Sequence, residues 1–204
     1  MNQNHLPTVF LVDDSIDVRE SLTQLIEMNG LTVEAFSSAE QLLETNLDDR
    51  MGCLILDLKM PGMNGLELQT VLFQRSIALP IIFLTAHGDI PASVKAIQAG
   101  AIDFLTKPVE PVLLLGRIQQ AIVRDVQRHE RLIIEREYQQ RLTNLTPREI
   151  EVAKLLAAGH LNKSIGQQLG ISHRTVENHR ARIMDKTGVT NLIELANLLK
   201  KHSH

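Results

Sequence analysis

The sequence predicts an α/β domain built on a doubly wound, five-stranded parallel sheet, followed by a small all-α unit of four helices. Three observations carry that expectation. Over the first 120 residues, five short apolar runs alternate with segments of helical period, and beyond Leu145 every apolar pattern is helical. Charge also changes sign along the chain: residues 1–120 hold 7 basic and 15 acidic side chains, whereas residues 144–204 hold 9 and 5, within a net charge of −3. Such a split marks either a basic unit that approaches polyanions or uneven solvation alone. At 204 residues, and about 150 residues per domain, two domains each have enough chain to bury a core.

The strands are read at 9–12, 32–36, 53–56, 81–84 and 103–106. Between them lie helices at 17–29, ending before Gly30; at 38–45, capped by Ser38; at 65–74; and at 91–98, ending before Gly100. A further helix opens at Pro111. Near-continuous apolar strands are what a sheet covered on both faces requires. Ligands of such sheets sit beyond the carboxyl ends of the strands, where strand order reverses.

Residues 111–142 contain no internal proline, and Gly116 is the single breaker. Leu115, Ile118, Ile122 and Val126 keep helical spacing, as do Ile134, Tyr138 and Leu142, but the polar run 127–131 interrupts the stripe. A helix of about 32 residues, roughly 48 Å long at 1.5 Å per residue, is favoured over a flexible charged linker. The domains are therefore read as 1–122, a helical linker at 123–143, and 144–204. Thr146-Pro147-Arg148-Glu149 supplies an N-cap, a proline at the first helical position and a glutamate at the third. Asn162 is expected to cap a second helix, 163–169, and Ser172 a third, 173–187, with Gly170 and Gly188 as their stops. A fourth starts near Asn191.

The composition, 44% hydrophobic and 22% charged, excludes collagen-like and disordered classes. One cysteine, Cys53, excludes an internal disulfide framework and a thiolate zinc cluster, and a buried strand position suits it. Residues 1–7 lack the regions of a signal peptide, and no run reaches roughly 18 apolar residues. A cytoplasmic protein without membrane contact is expected.

Three carboxylates fall where this architecture gathers a site: Asp13 and Asp14 after the first strand, and Asp57 at the end of the third. Thr85 ends the fourth strand and Lys107-Pro108 follows the fifth. Clustered carboxylates raise one another's pKa unless a cation offsets them, and a hard divalent ion, Mg2+ first, suits all-oxygen ligands. An aspartate can then attack a phosphoryl group and hold it as an acyl phosphate. Asp57 is the candidate phosphoacceptor, Asp13 and Asp14 carry the metal, Lys107 is the counter-ion and Thr85 the hydroxyl that binds the new phosphate. His87 stands close enough in sequence to touch the rim, although an exposed loop histidine is the plainer reading. The histidines at 173, 179, 202 and 204 make no metal-binding spacing.

Residues 8–122 resemble the receiver domain of bacterial two-component response regulators, which has the flavodoxin-like fold. The match lies in Val-Asp-Asp at 12–14, Leu-Asp-Leu-Lys-Met-Pro-Gly at 56–62 with Asn64-Gly65, Leu-Thr-Ala at 84–86, and Lys107-Pro108. The resemblance implies Mg2+ held by Asp14, Asp57 and the backbone carbonyl of Lys59, with Asp13 reaching it largely through water. It also implies a cis peptide before Pro108, and a switch in which Phe104, standing where the family often has Tyr, turns inward with Thr85.

The segment 165–186 reads helix, Gly170 turn, helix, the arrangement that places its second helix in the major groove of DNA. In that helix Val176 and Ile183 point inward, flanked by His179, while Arg174, Glu177, Asn178, Ala181 and Arg182 face outward. Asn178 suits adenine, Glu177 cytosine, and Ala181 close approach or a thymine methyl. Lys163, Arg174, Arg180, Arg182 and Lys186 suit phosphates, and Thr175 completes the DNA-facing set. A plain soluble bundle would show a similar basic face. The stretches Leu145–Glu149, 159–163 and 169–186 resemble the LuxR-type helix-turn-helix domain, and with the receiver they place the chain in the FixJ/NarL class of response regulators. Thr187 stands where that family often has Leu, which implies looser packing or altered dimer contacts nearby. The family implies pairing of the last helix between two copies, and Leu192, Leu195, Leu198 and Leu199 are more than one face of so small a core needs.

The function expected is a transcriptional regulator, not an enzyme. Its partners would be a sensor histidine kinase, double-stranded promoter DNA, a second copy on phosphorylation or DNA binding, and RNA polymerase. The alternative is a constitutive DNA-binding regulator with an inert receiver. An aspartyl-phosphate phosphatase would need a second carboxylate two residues past the nucleophile, where Lys59 stands, and a small-molecule-sensing regulator would need an apolar chamber that the front half does not suggest.

Overall fold

The strands and helices of the first 129 residues follow from the alternation in the sequence. The computed structural model describes residues 6–86 and 90–200, and its contacts divide the chain into two units, 1–129 and 130–204. In the first, β1 (Thr8–Val12), α1 (Ile16–Met28), β2 (Thr32–Phe36), α2 (Ala39–Leu43), β3 (Gly52–Asp57), α3 (Gly65–Gln74), β4 (Ile81–Thr85), α4 (Ile90–Gln98) and β5 (Asp103–Thr106) precede α5 (Pro111–Thr143). The strands form one sheet in the order β2-β1-β3-β4-β5, and every pairing is parallel. This is the flavodoxin-like arrangement. Its order reverses between β1 and β3, which places the carboxyl ends of those two strands at the crevice.

Period-two alternation sorts the strand residues onto two faces. Phe10, Val12, Leu54, Leu56 and Phe83 pack with α2, α3 and α4 through Leu42, Leu68, Leu72 and Ala96. Val9, Leu11, Cys53, Ile55, Ile82 and Leu84 pack with α1 and α5 through Leu22, Ile26, Leu114, Ile118 and Ala121. Central strands buried on both sides explain why their runs read as continuous apolar stretches. Cys53 is wholly buried in β3, where burial, reinforced by the charge of Asp125, pushes its thiol up to about 12.

Helix α5 is one hydrogen-bonded element of 33 residues. The polar run 127–131 supplies partners, invisible in the sequence, to the acid that precedes it. Asp125 is wholly buried; its Oδ2 accepts from the Gly52 N–H at 2.9 Å, and its Oδ1 pairs with Arg128 at 2.8 Å. His129 Nδ1 stands 3.4 Å from the same carboxylate. A buried charge needs such partners, and these tie α5 to the amino end of β3.

The second unit contains α6 (Pro147–Ala157), α7 (Asn162–Leu169), α8 (His173–Thr187) and α9 (Leu192–Lys200). Its core gathers Leu142, Leu145, Val152, Leu156, Ile165, Val176, Ile183, Leu195 and Leu198. Two expectations are corrected here. Asn162 does not cap α7: Leu161 is the N-cap, without a side-chain bond, and Asn162 is the first helical residue. The leucines of α9 are not surplus either. Leu195 and Leu198 lie inside the unit's own core, Leu192 and Leu199 pack against it, and Ile193, 75% exposed, is the apolar side chain left outside.

Candidate functional site

The site begins where β1 and β3 end. Asp57 is the last residue of β3, and α3 starts close behind it, with Gly65 N–H bonded to Leu58 O at 3.0 Å. A Cβ on Gly65 would lie 2.5 Å from the Asp57 carbonyl oxygen, so only glycine lets the helix start there. Asn64 caps α3 from the same loop, with Glu67 completing a capping box.

Asp13, Asp14 and Asp57 each bring a carboxylate oxygen to within 4.8 Å of the others. Asp13 is wholly buried, Asp57 is 8% exposed and Asp14 faces solvent. Lys107 Nζ lies 2.5 Å from Asp13 Oδ2 and 3.1 Å from Asp57 Oδ2. Burial raises the pKa of Asp57, and the hydrogen bond and charge of Lys107 oppose that rise. Burial pulls Lys107 down, but its hydrogen bonds to Asp13 and Asp57, with their charges, outweigh it and hold the ammonium above its ordinary value. An all-oxygen set with an excess of negative charge, open to solvent on the side of Asp14, fits a hard divalent cation.

Thr85, Lys59 and the Lys107–Pro108 peptide stand at the same strand ends, whereas Phe104 lies within β5 against the core. Thr85 ends β4 with its side chain buried, and its carbonyl accepts from the Lys107 N–H at 2.7 Å. The Lys107–Pro108 peptide is cis. Lys59 is exposed, with its N–H 3.5 Å from Asp57 Oδ1. Phe104 is half-buried opposite Phe83, ring centroids 6.0 Å apart. His87 lies outside the described residues. Arg19, which the sequence did not single out, donates from its guanidinium to the Asp13 carbonyl at 2.6 Å.

In the second unit α7 and α8 meet through Gly170, which takes φ +66°, and Gly166, whose Cβ would come 2.7 Å from the Ile171 carbonyl oxygen. Ser172 caps α8 by accepting from the Thr175 N–H. Val176 and Ile183 are buried, whereas Lys163, Arg174, Glu177, Asn178, Arg180, Ala181 and Arg182 are exposed. Thr175 is half-buried, its hydroxyl 2.8 Å from that of Ser172. Lys186 differs from the expected phosphate ligand: its Nζ donates to Glu149 Oε2 at 2.7 Å. That hydrogen bond, with the capping bonds of Thr146, holds the Glu149 carboxyl well down, at about 2. Thr187 is buried without strain on its polar group, since its hydroxyl donates to the Ile183 carbonyl at 2.6 Å.

Two family models match the chain: the response regulator receiver domain over residues 9–119, and bacterial regulatory proteins of the luxR family over 143–199. The chain belongs to the response regulators that join a receiver to a LuxR-type DNA-binding domain. It is similar to Nodulation protein W of Bradyrhizobium diazoefficiens, 41% identical over 187 residues, spanning 92% of this chain and 82% of that protein. It is also similar to the transcriptional regulatory protein FixJ of Rhizobium meliloti, 40% identical over 191 residues and 94% of each chain. Among solved structures, the response regulator StyR matches with a TM-score of 0.91 and 44% identity, covering 96% of this chain and 99% of that one. The homologues are transcriptional regulators, and this chain is of that kind, not an enzyme. No described helix is long and apolar enough to cross a membrane.

Proposed function

We propose that the chain is a phosphorylation-dependent transcriptional regulator, in which a sensor histidine kinase donates a phosphoryl group to Asp57 and the modified protein dimerises on promoter DNA. The observation that carries this reading is the half-neutralised acid cluster: a nearly buried Asp57 carboxylate held by Lys107, beside two further acids, at the switch point of the sheet.

The Asp57 oxygen attacks phosphorus, a P–O bond forms as the donor's P–N bond breaks, and the leaving imidazole nitrogen takes the electron pair and a proton. Asp14, Asp57 and the carbonyl of Lys59 would hold Mg2+, with Asp13 behind, and the ion supplies positive charge against the phosphoryl oxygens. Lys107 remains on Asp13 while its second contact, now to Asp57, is free to pass to a phosphoryl oxygen. Thr85 donates its hydroxyl to another, and Phe104 follows that movement. The change acts only through interactions stronger in the phosphorylated, dimer-competent state than in the resting one. On DNA, Glu177, Asn178 and Ala181 would meet base edges, while Lys163, Arg174, Thr175, Arg180 and Arg182 would meet the backbone. Regulation of transcription then implies contact with RNA polymerase.

Mg2+-dependent labelling by acetyl phosphate, lost in Asp57→Ala, tests the receiver. Binding-site selection at fixed salt, with labelled and unlabelled protein, tests the coupling. Equal DNA affinity in both states would identify a constitutive reader with an inert receiver.

A further inference from the structure

We infer that Arg19 is a positioning residue for the metal-binding acid pair, acting through the peptide that joins Asp13 to Asp14. The inference rests on the proposed Mg2+-dependent chemistry of that site and extends it to a residue outside the acid cluster.

The Asp13 carbonyl belongs to the peptide unit whose other end is the Asp14 nitrogen. A peptide is planar, so fixing its oxygen fixes the direction in which the chain leaves Asp13 and enters Asp14. Arg19, one turn into α1, donates to that oxygen at 2.6 Å. The rest of the turn is held independently: Asp13 N–H donates to the Phe36 carbonyl at 3.2 Å, Asp13 Oδ1 accepts from the Ser15 N–H at 3.0 Å, and Lys107 holds Oδ2. The Phe36 and Lys107 ties define the entry from β1 and the Asp13 side chain, and the Ser15 bond closes the turn across the 13–14 peptide from the far side of Asp14. Arg19 holds the oxygen of that peptide itself. Without that donor the peptide keeps only the Ser15 tie, and the exposed Asp14 carboxylate is held less closely in its direction toward Asp57.

The same guanidinium is a cation near a cation site, so its two effects on Mg2+ have opposite signs. Geometry tightens binding, because Mg2+ demands near-ideal ligand placement. Charge alone weakens it. The short bond to a main-chain oxygen, where a carboxylate would have been the better charge partner, assigns the dominant effect to geometry.

Calorimetric titration of Mg2+ into the full-length protein separates the two. Arg19→Met should weaken binding at least threefold, with Arg19→Lys falling between it and the wild type, because lysine restores one donor without the planar fork. Far-UV circular dichroism in EDTA checks each fold; if Arg19→Met does not fold, Arg19→Gln is read against the same threefold mark. Unchanged or tighter binding on loss of the guanidinium, or a lysine variant no better than the neutral one, overturns the inference while leaving the proposed function standing. Failure of the wild type to bind Mg2+ overturns both.

Discussion

Replacing Asp125 by alanine should loosen the amino end of β3 and the adjoining turns of α5 while leaving the second unit unchanged. In the native protein this carboxylate is wholly buried, accepts from the Gly52 N–H at 2.9 Å and pairs with Arg128 at 2.8 Å. Alanine strands the Gly52 amide in a dry position, a loss of about 1–3 kcal/mol. The Arg128 side chain is 35% exposed and regains water, so the broken pair adds only about 1 kcal/mol. The total of about 2–4 kcal/mol is a roughly thirty- to seven-hundredfold fall in protection at about 1.4 kcal/mol per tenfold. Asp125→Asn keeps an acceptor for Gly52 and gives up only the charge, so its loss should be about 1 kcal/mol. Hydrogen-exchange mass spectrometry on peptides covering 50–57 and 111–129 reads both variants. A change below threefold in Asp125→Ala, or an asparagine variant as labile as the alanine one, refutes the assignment of the hydrogen bond as the dominant contribution.

The second unit should lose stability as pH falls from about 4.5 towards 2. The folded pKa of Glu149, about 2, lies below its unfolded value, so its contribution is complete above the unfolded pKa and vanishes as pH drops through the folded one; thermal melts across that range should show a flatter pH slope in Glu149→Gln. Arg182→Ala should lower the slope of log affinity against log salt by about one, a single phosphate contact, with base preference unchanged in a binding-site selection.

The doubly wound sheet was legible because both faces of its central strands are covered: residues 9–12, 53–56 and 81–84 read as unbroken apolar runs and are buried throughout. The acid site was legible for a related reason. Strand ends are where a parallel sheet exposes its chemistry, and Asp13, Asp57, Thr85 and Lys107 all stand at them. Lys107 was legible with them, although Asp13 is 94 residues away, because both stand at strand ends; what escaped were polar side chains with distant partners away from that rim. Asp125 meets Gly52 across 73 residues and Lys186 meets Glu149 across 37, and neither separation leaves a periodic trace. Asp125 stands just ahead of the polar run 127–131, which reads as an interruption of the stripe, and nothing in that run points to the buried Gly52 donor that the fold brings to it. A partner distant in sequence also explains α9. Four leucines suggest a surplus only if the core is sized from one helix, whereas α6 packs against α9 and absorbs Leu195 and Leu198. Apolar excess in a small domain can therefore be judged only after its helices have been paired, and on α9 the large apolar side chain left exposed is Ile193, one position away from the stripe that periodicity selects.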